Sequence, residues 1–362
     1  MVQQESIPWQ SFVSDAIRSF TIRNTSLSPS KRGWAVAIFI FLIPPPQPKC
    51  VYLYSVSVIY IKAMTRTLLA LLALASAAPS ALKPTDGTIT PQDNKSVAVF
   101  KTTPQGDLKI NLFFPKDWKS TDRRPAIVFF FGGGFVAGTP TQFTTKAEYL
   151  ASRGMVAASA EYRIGNTHHT PPEKCIEDAK SAIRWLRVNA KNLGIDPGRV
   201  VAGGGSAGGT DAAFAAYNTK FEPEGEDMSV SSKPDALVLY NPALGFADTT
   251  NVPQQQSKLQ DFITAWKVTK GGPPAILFFG TDDNLLAGAR IFVQQMIAAG
   301  NRAELYTAAG QKHGFFNDRG GTPWHAVVLR QTDLFLSSLG FLEGQPAIAP
   351  PTGASALTKE LP

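Results

Sequence analysis

Four short segments of this 362-residue chain carry residues whose types and spacing could do chemistry. In Gly204-Gly205-Ser206-Ala207-Gly208-Gly209 a serine sits in a G-x-S-x-G frame. Small neighbours on both sides let a sharp strand-to-helix turn close, so that the hydroxyl is pushed out as a nucleophile. The stretch Gly132-Gly133-Gly134-Phe135 would bare backbone N–H groups without side-chain obstruction, as the oxyanion of an acyl-transfer intermediate requires. Gly133 and Gly134, joined by the N–H of Ala207 at a helix start, are the expected donors. The segment Gly280-Thr281-Asp282-Asp283-Asn284 offers a carboxylate, and Lys312-His313-Gly314-Phe315 an imidazole. A serine activated by an imidazole that a carboxylate orients is the arrangement that attacks carbonyl carbon. On spacing alone Asp282 and Asp283 remain equivalent, and the competing reading of the serine segment is a glycine-rich turn. A phosphate loop is disfavoured because no Gly-Lys-Ser/Thr follows the glycines.

These segments need elements to hold them, and the pattern between about Ser96 and Leu342 supplies them. Val97–Thr102 and Leu108–Phe114 alternate partly and open the domain as an antiparallel pair. Ala126–Phe131, Met155–Ala160, Ala236–Tyr240 and Ala275–Phe279 are continuously apolar, as strands buried on both faces are. Arg199–Gly203 and Ala303–Thr307 complete the strands. Helices are expected over Lys146–Arg153, Glu173–Leu193, Ala207–Tyr217, Leu286–Ala299 and Val327–Leu339; in the second, Ile176, Ala179, Ile183 and Leu186 recur at helical spacing. Strands alternating with helices imply an α/β fold, a mostly parallel central sheet with helices on both faces. Ligands of such sheets bind at the carboxyl ends of the strands, where all four segments fall. Between Gly245 and Gly272 there is room for a small lid helix, Leu259–Val268.

Charge and composition remove several function classes. The formal charge is +7, but residues 1–81 hold seven of the 35 basic side chains and two of the 28 acidic ones, leaving 28 against 26 in the remainder. That remainder has no Lys/Arg run suited to a nucleic acid partner. The two cysteines, Cys50 and Cys175, give neither an internal disulfide in the folded part nor a CxxC metal site, and Cys175 reads as a small buried hydrophobe. His168, His169, His313 and His325 form no ligand cluster, so no metal and no cofactor are expected.

From Met64 the chain reads MTRTLLALLALASAAPSALKP, with a basic end, a short apolar run and an A-x-A site. Residues 64–81 are therefore expected to be a signal peptide, and the protein to be exported, with no stable membrane insertion after cleavage. Residues 1–63 are expected to be an over-extended start, the alternative being a membrane anchor. Residues 343–362, rich in Pro, Ala, Thr and Gly, are expected to be a disordered tail.

FGGGF (131–135), AEYR (160–163), IEDAKSAIRWLR (176–187), GIDPGRVVAGGGSAGG (194–209), GTDDNLL (280–286) and KHGF (312–315) together resemble the α/β-hydrolase fold esterases, in particular the hormone-sensitive-lipase-like and bacterial acetyl-esterase group. The resemblance spans about residues 95–342. It implies a carboxylesterase that works through an acyl-serine, with Ser206, Asp283 and His313 as triad, because the acid of a G-T-x-D segment stands last. Two positions depart from the group: Phe131 stands where many members have His, and Gly205 where many have Asp. The expected substrate is a small-molecule or carbohydrate ester with a short acyl chain. The other readings are a peptidase on the same fold and a non-catalytic binding protein on a hydrolase scaffold. Tyr162, Arg163 and Asp178 are expected to be structural.

Overall fold

The computed structural model describes residues 89–218, 220–245, 261–262, 264–350 and 356–360. The segments 1–63 and 64–81 lie outside the described residues, as does most of 245–272. Among the described residues, nine strands form one sheet in the order β1-β2-β4-β3-β5-β6-β7-β8-β9. They are β1 (Lys95–Thr103), β2 (Gly106–Phe113), β3 (Arg124–Phe130), β4 (Val156–Ala160), β5 (Ile195–Gly205), β6 (Ala236–Tyr240), β7 (Ala275–Gly280), β8 (Ala303–Ala308) and β9 (Thr358–Glu360). Pairing is parallel from β4 through β3, β5, β6 and β7 to β8, and antiparallel at β1/β2, β2/β4 and β8/β9.

The apolar strands earn their burial from both sides. In β3, Ala126, Val128 and Phe130 face one core while Ile127 and Phe129 face the other; in β7, Leu277 and Phe279 oppose Ile276 and Phe278. A side-chain period of two thus splits one continuous apolar run between two layers. Helices α2 (Pro172–Val188), α3 (Ala207–Tyr217) and α4 (Leu286–Ala298) cover the first face, and α1 (Thr144–Ser152) and α5 (Trp324–Ser338) the second. Proline at the first position of α2, Glu173 in its first turn and Arg187 in its last suit its ends. Truncating a fully buried side chain such as Ile183 (0% exposed) would cost about 2–5 kcal/mol.

The structure differs from the sequence reading at two places. The expected helix Glu173–Leu193 is interrupted at Asn189, whose side-chain amide donates to the Trp185 carbonyl (2.9 Å), and a four-residue turn, Ala190–Leu193, follows. The expected disordered tail, 343–362, is ordered in its described part. The Arg153 guanidinium donates to the Glu343 carbonyl (2.8 Å), and Thr358–Glu360 pairs with β8 through Leu305↔Glu360 and Thr307↔Thr358. Arg290 grips the Glu360 carboxylate with two bonds of 2.9 Å, and Lys359 pairs with Glu304. Composition misleads here because every one of these partners is remote in sequence.

In-register pairing brings the carboxyl ends of the parallel strands to one rim. Phe130 lies opposite Gly204, Gly205 opposite Tyr240, and Gly280 opposite Ala308. All four chemistry-bearing segments leave the sheet along that rim.

Candidate active site

The nucleophile candidate is placed by backbone. Ser206 follows β5 and precedes α3 with φ 51° and ψ −119°, a conformation that L-residues rarely adopt. Such strain costs on the order of 1–3 kcal/mol and persists only where the surroundings enforce it. Here the Ser206 N–H donates to the Tyr240 carbonyl (2.9 Å), and the turn is compressed until a Cβ on Gly208 would lie 2.2 Å from the Phe130 carbonyl oxygen. A Cβ on Gly205 would lie 2.5 Å from the ring tip of Phe316. This accounts for the missing Asp in the serine segment: an aromatic ring of the histidine loop fills that space.

His313 and Asp283 come from the loops after β8 and β7. The imidazole Nε2 is 2.9 Å from Ser206 Oγ, and Nδ1 is 2.8 Å from Asp283 Oδ2. The Asp283 side chain is fully buried and its other oxygen accepts the Leu285 N–H (2.9 Å), whereas the His313 side chain is 40% exposed. Nδ1–H facing a buried acceptor fixes the tautomer that leaves Nε2 free to accept the serine proton. Asp282, left equivalent by spacing, is exposed and accepts from the Thr281 hydroxyl (3.1 Å).

The glycine loop lies against the serine turn. A Cβ on Gly132 would be 3.2 Å from Ser206 Cβ. Gly133 and Gly134 are exposed, at φ 142° and 63°, and among the described residues their N–H groups take no protein acceptor. Ala207, the third expected donor, is the first residue of α3 and is buried. The loop is anchored from below, where Tyr162 stacks on Phe131 (centroids 4.1 Å apart) and donates to its carbonyl (2.6 Å). Arg163 in turn holds Asp178 through three bonds, two from its guanidinium (2.7 and 2.8 Å) and one from its backbone N–H (3.0 Å). Cys175 is buried, its thiol aimed at the Arg163 carbonyl (3.0 Å) and pushed far up by desolvation.

Three neighbours escaped the sequence reading. Asn241, buried directly after β6 at φ 39°, accepts the Gly314 N–H (3.1 Å) and sets its amide 3.3 Å from His313 Nε2. Gln142, in the 3₁₀ turn Pro140–Phe143, accepts the Gly132 N–H at 2.6 Å. Lys146 on α1 is only 1% exposed; it donates to the Phe316 carbonyl (2.9 Å) and lies over the rings of Phe143, Tyr240 and Phe316. Burial pushes its amine down to about 7, opposed by Asp318. His325 nearby is lowered to about 4, first by burial and then by Lys146. Nothing local in the sequence marks any of the three, because their partners on the histidine loop lie far along the chain.

His168 spends its Nδ1 on the Ile164 N–H (2.9 Å). Among the described residues no cluster of three or more His, Cys, Asp and Glu side chains is arranged to hold a metal ion, and no helix is long and apolar enough to cross a membrane. Of the expected lid helix Leu259–Val268, residues 261, 262, 264 and 265 are helical, but it stops before Trp266, which bridges to Asn218, while the Lys267 N–H donates to the Tyr217 carbonyl (3.1 Å). Phe262 is built into the core there, edge-on to Phe214 (5.3 Å) and 6.5 Å from Phe135 of the glycine loop.

Known proteins similar to this chain are esterases. The BD-FAE family model matches residues 110–258. Est2, a thermophilic esterase from the planctomycete Thermogutta terrifontis, is 42% identical in its native structure, with a TM-score of 0.65; the match covers 69% of this chain and 94% of that one. Its propionate-bound structure gives 41% identity, a TM-score of 0.66 and coverages of 70% and 97%. Esterase LipI of Mycobacterium tuberculosis is 27% identical over 246 residues, 61% of this chain and 74% of LipI. A parallel sheet with its serine turn at the rim, a relative of this identity covered almost end to end, and curated esterase relatives have one meaning: the chain belongs to the α/β-hydrolase carboxylesterases of the hormone-sensitive-lipase-like group and is a serine ester hydrolase.

Proposed function

We propose that the protein hydrolyses short-chain acyl esters through an acyl-Ser206 intermediate, with His313 as general base and acid and Asp283 as its orienting carboxylate. The observation that carries this is the unbroken chain from Ser206 Oγ through His313 to Asp283, at 2.9 and 2.8 Å. His313 Nε2 takes the hydroxyl proton as Ser206 Oγ attacks the ester carbonyl. The N–H groups of Gly133, Gly134 and Ala207 receive the negative oxygen. The same proton then goes to the departing alcohol, and a water activated by His313 frees the acid. One lost oxyanion donor typically costs ~10²-fold or more in rate. Preference for a short acyl chain is supported by the propionate-bound relative and by Phe262, which stands near the glycine loop as part of the core. Acetylated sugars are the proposed natural class, and export through residues 64–81 the proposed route.

Turnover of p-nitrophenyl acetate, butyrate, octanoate and laurate, run beside acetylated xylan, tests the reading. The acetate and butyrate esters should be turned over fastest, xylan should release acetate, and Ser206→Ala should abolish all of it. Undiminished turnover by Ser206→Ala would remove the nucleophile assignment, and a maximum at laurate the acyl preference. The route is tested by the mature N-terminus of protein recovered outside the cytoplasm, expected just after the Ala75–Ala78 stretch.

A further inference from the structure

Gly132 and Gly314 belong to loops that leave different strands, and one side-chain bridge joins them. The Gly132 N–H donates to Gln142 Oε1 (2.6 Å), Gln142 Nε2 donates to Asn317 Oδ1 (2.9 Å), and Asn317 Nδ2 donates to the Gly314 carbonyl (2.9 Å). The bridge has a direction. A backbone N–H can only donate and a backbone carbonyl can only accept, so both amides are locked in one orientation; turning either one over sets like groups face to face at both of its ends. Its mounting is stiff: Phe143, next to Gln142, is buried and stacked on Phe129 (4.8 Å, 7°), and the Pro140 carbonyl accepts the Ser159 hydroxyl (2.7 Å). Each end reaches the reacting groups. Gly132 lies against the Ser206 turn and precedes the exposed N–H groups of Gly133 and Gly134, and Gly314 follows His313.

We infer that Gln142 is a positioning residue for the ester hydrolysis, holding the oxyanion loop and the histidine loop at a fixed separation through Asn317. Gln142 touches no reacting atom. It sets the distance between the N–H groups that receive the oxyanion and the imidazole that moves the proton, two things that must be correct at the same instant. The inference rests on the Ser206–His313 reading.

The test counts active sites before it measures rate. An organophosphate ester that releases nitrophenol titrates the reactive serine, and kcat is expressed per titrated site. Gln142→Met keeps length and loses both polar ends. Gln142→Glu keeps the acceptor for Gly132 and turns the Asn317 link into a repulsion. Both should titrate close to one site per chain, with KM for p-nitrophenyl butyrate little changed. For both, kcat per site should fall about tenfold to a hundredfold, the scale of a misplacement near 1 Å. Asn317→Leu should match them, and the double variant Gln142→Met/Asn317→Leu should lose no more than either alone, because one bridge is cut in each case. A purely structural Gln142 would reduce the number of titrated sites and leave kcat per site as in the wild type; that result, or losses that multiply in the double variant, overturns the inference. If Gln142→Met does not fold, Gln142→Glu decides by the same readouts. Ser206→Ala titrating a full site would sink the esterase reading instead, a separate outcome.

Discussion

The space beside Gly205 offers the sharpest test of how the serine turn and the histidine loop are packed. In Gly205→Ala the new methyl would sit 2.5 Å from Phe316 Cζ and 3.2 and 3.3 Å from the adjoining ring carbons. Carbon atoms in contact prefer about 3.5–4.0 Å, so the ring must retreat by roughly an ångström. It has nowhere free to go. Phe316 is 1% exposed, stacks against Tyr240 (5.0 Å) and Phe143 (6.0 Å), and has the Lys146 amine 5.2 Å from its centre. Overpacking of this kind costs ~1–3 kcal/mol. Phe316 also follows His313 within the turn in which the Phe315 N–H donates to the Lys312 carbonyl, so retreat of the ring drags the imidazole. A displacement near 1 Å there would lower kcat by up to ~10²-fold. Urea unfolding and p-nitrophenyl butyrate turnover measure the two losses, and Phe316→Leu, which removes the ring tip, should recover most of both in the Gly205→Ala background. Gly205→Ala with stability within ~0.5 kcal/mol of wild type and unchanged kcat would refute the reasoning, because the ring would then be free to yield.

Three more outcomes are expected. Ser206→Gly relieves the positive-φ strain that Ser206→Ala keeps, so after allowing for glycine's looser unfolded state the first should be more stable than the second by ~1 kcal/mol; equal urea midpoints would argue against strain at the turn. Asp283→Asn should cost ~10⁴-fold in kcat by favouring the wrong imidazole tautomer, while Asp282→Asn leaves it near wild type; the reverse ranking in a steady-state assay would exchange the two acids. Lys146 titrates near 7 when folded and near 10.5 when unfolded, so between these values the unfolded chain binds more protons and stability rises with pH. Relative to Lys146→Met, the wild type should therefore gain up to ~2 kcal/mol between pH 7 and pH 9, and parallel stability curves would show that the amine is not desolvated.

What was legible in the sequence was whatever depends on local backbone shape. A strand that must turn sharply into a helix needs Gly204 and Gly208, and a loop that bares its amides needs Gly133 and Gly134. Buried parallel strands are readable because both faces must be apolar, as in 126–131. The acid could not be chosen by spacing, since Asp282 and Asp283 differ only in which one the turn sends inward. Gln142, Lys146 and Asn241 were illegible for a different reason. Each is an ordinary polar residue until a chain segment 175, 170 or 73 positions away supplies its partner. The strand Thr358–Glu360 belongs with them, being decided by remote partners against what composition favoured, whereas the helix break at Asn189 turns on a local bond, from its side-chain amide to the Trp185 carbonyl, that apolar periodicity does not register.

The three residues of β9 have a consequence for handling the protein. Without them, β8 would present a row of unshared amides and carbonyls to solvent, a template on which a second molecule could lay its own strand. Chain cut before Thr358, or a bulky fusion crowding it, invites self-association that a turnover assay run at low concentration would not reveal. The short strand thus serves as a guard against sticking, fastened by the ion pairs of Arg290 and Lys359, and salt that loosens those pairs should expose the same vulnerability.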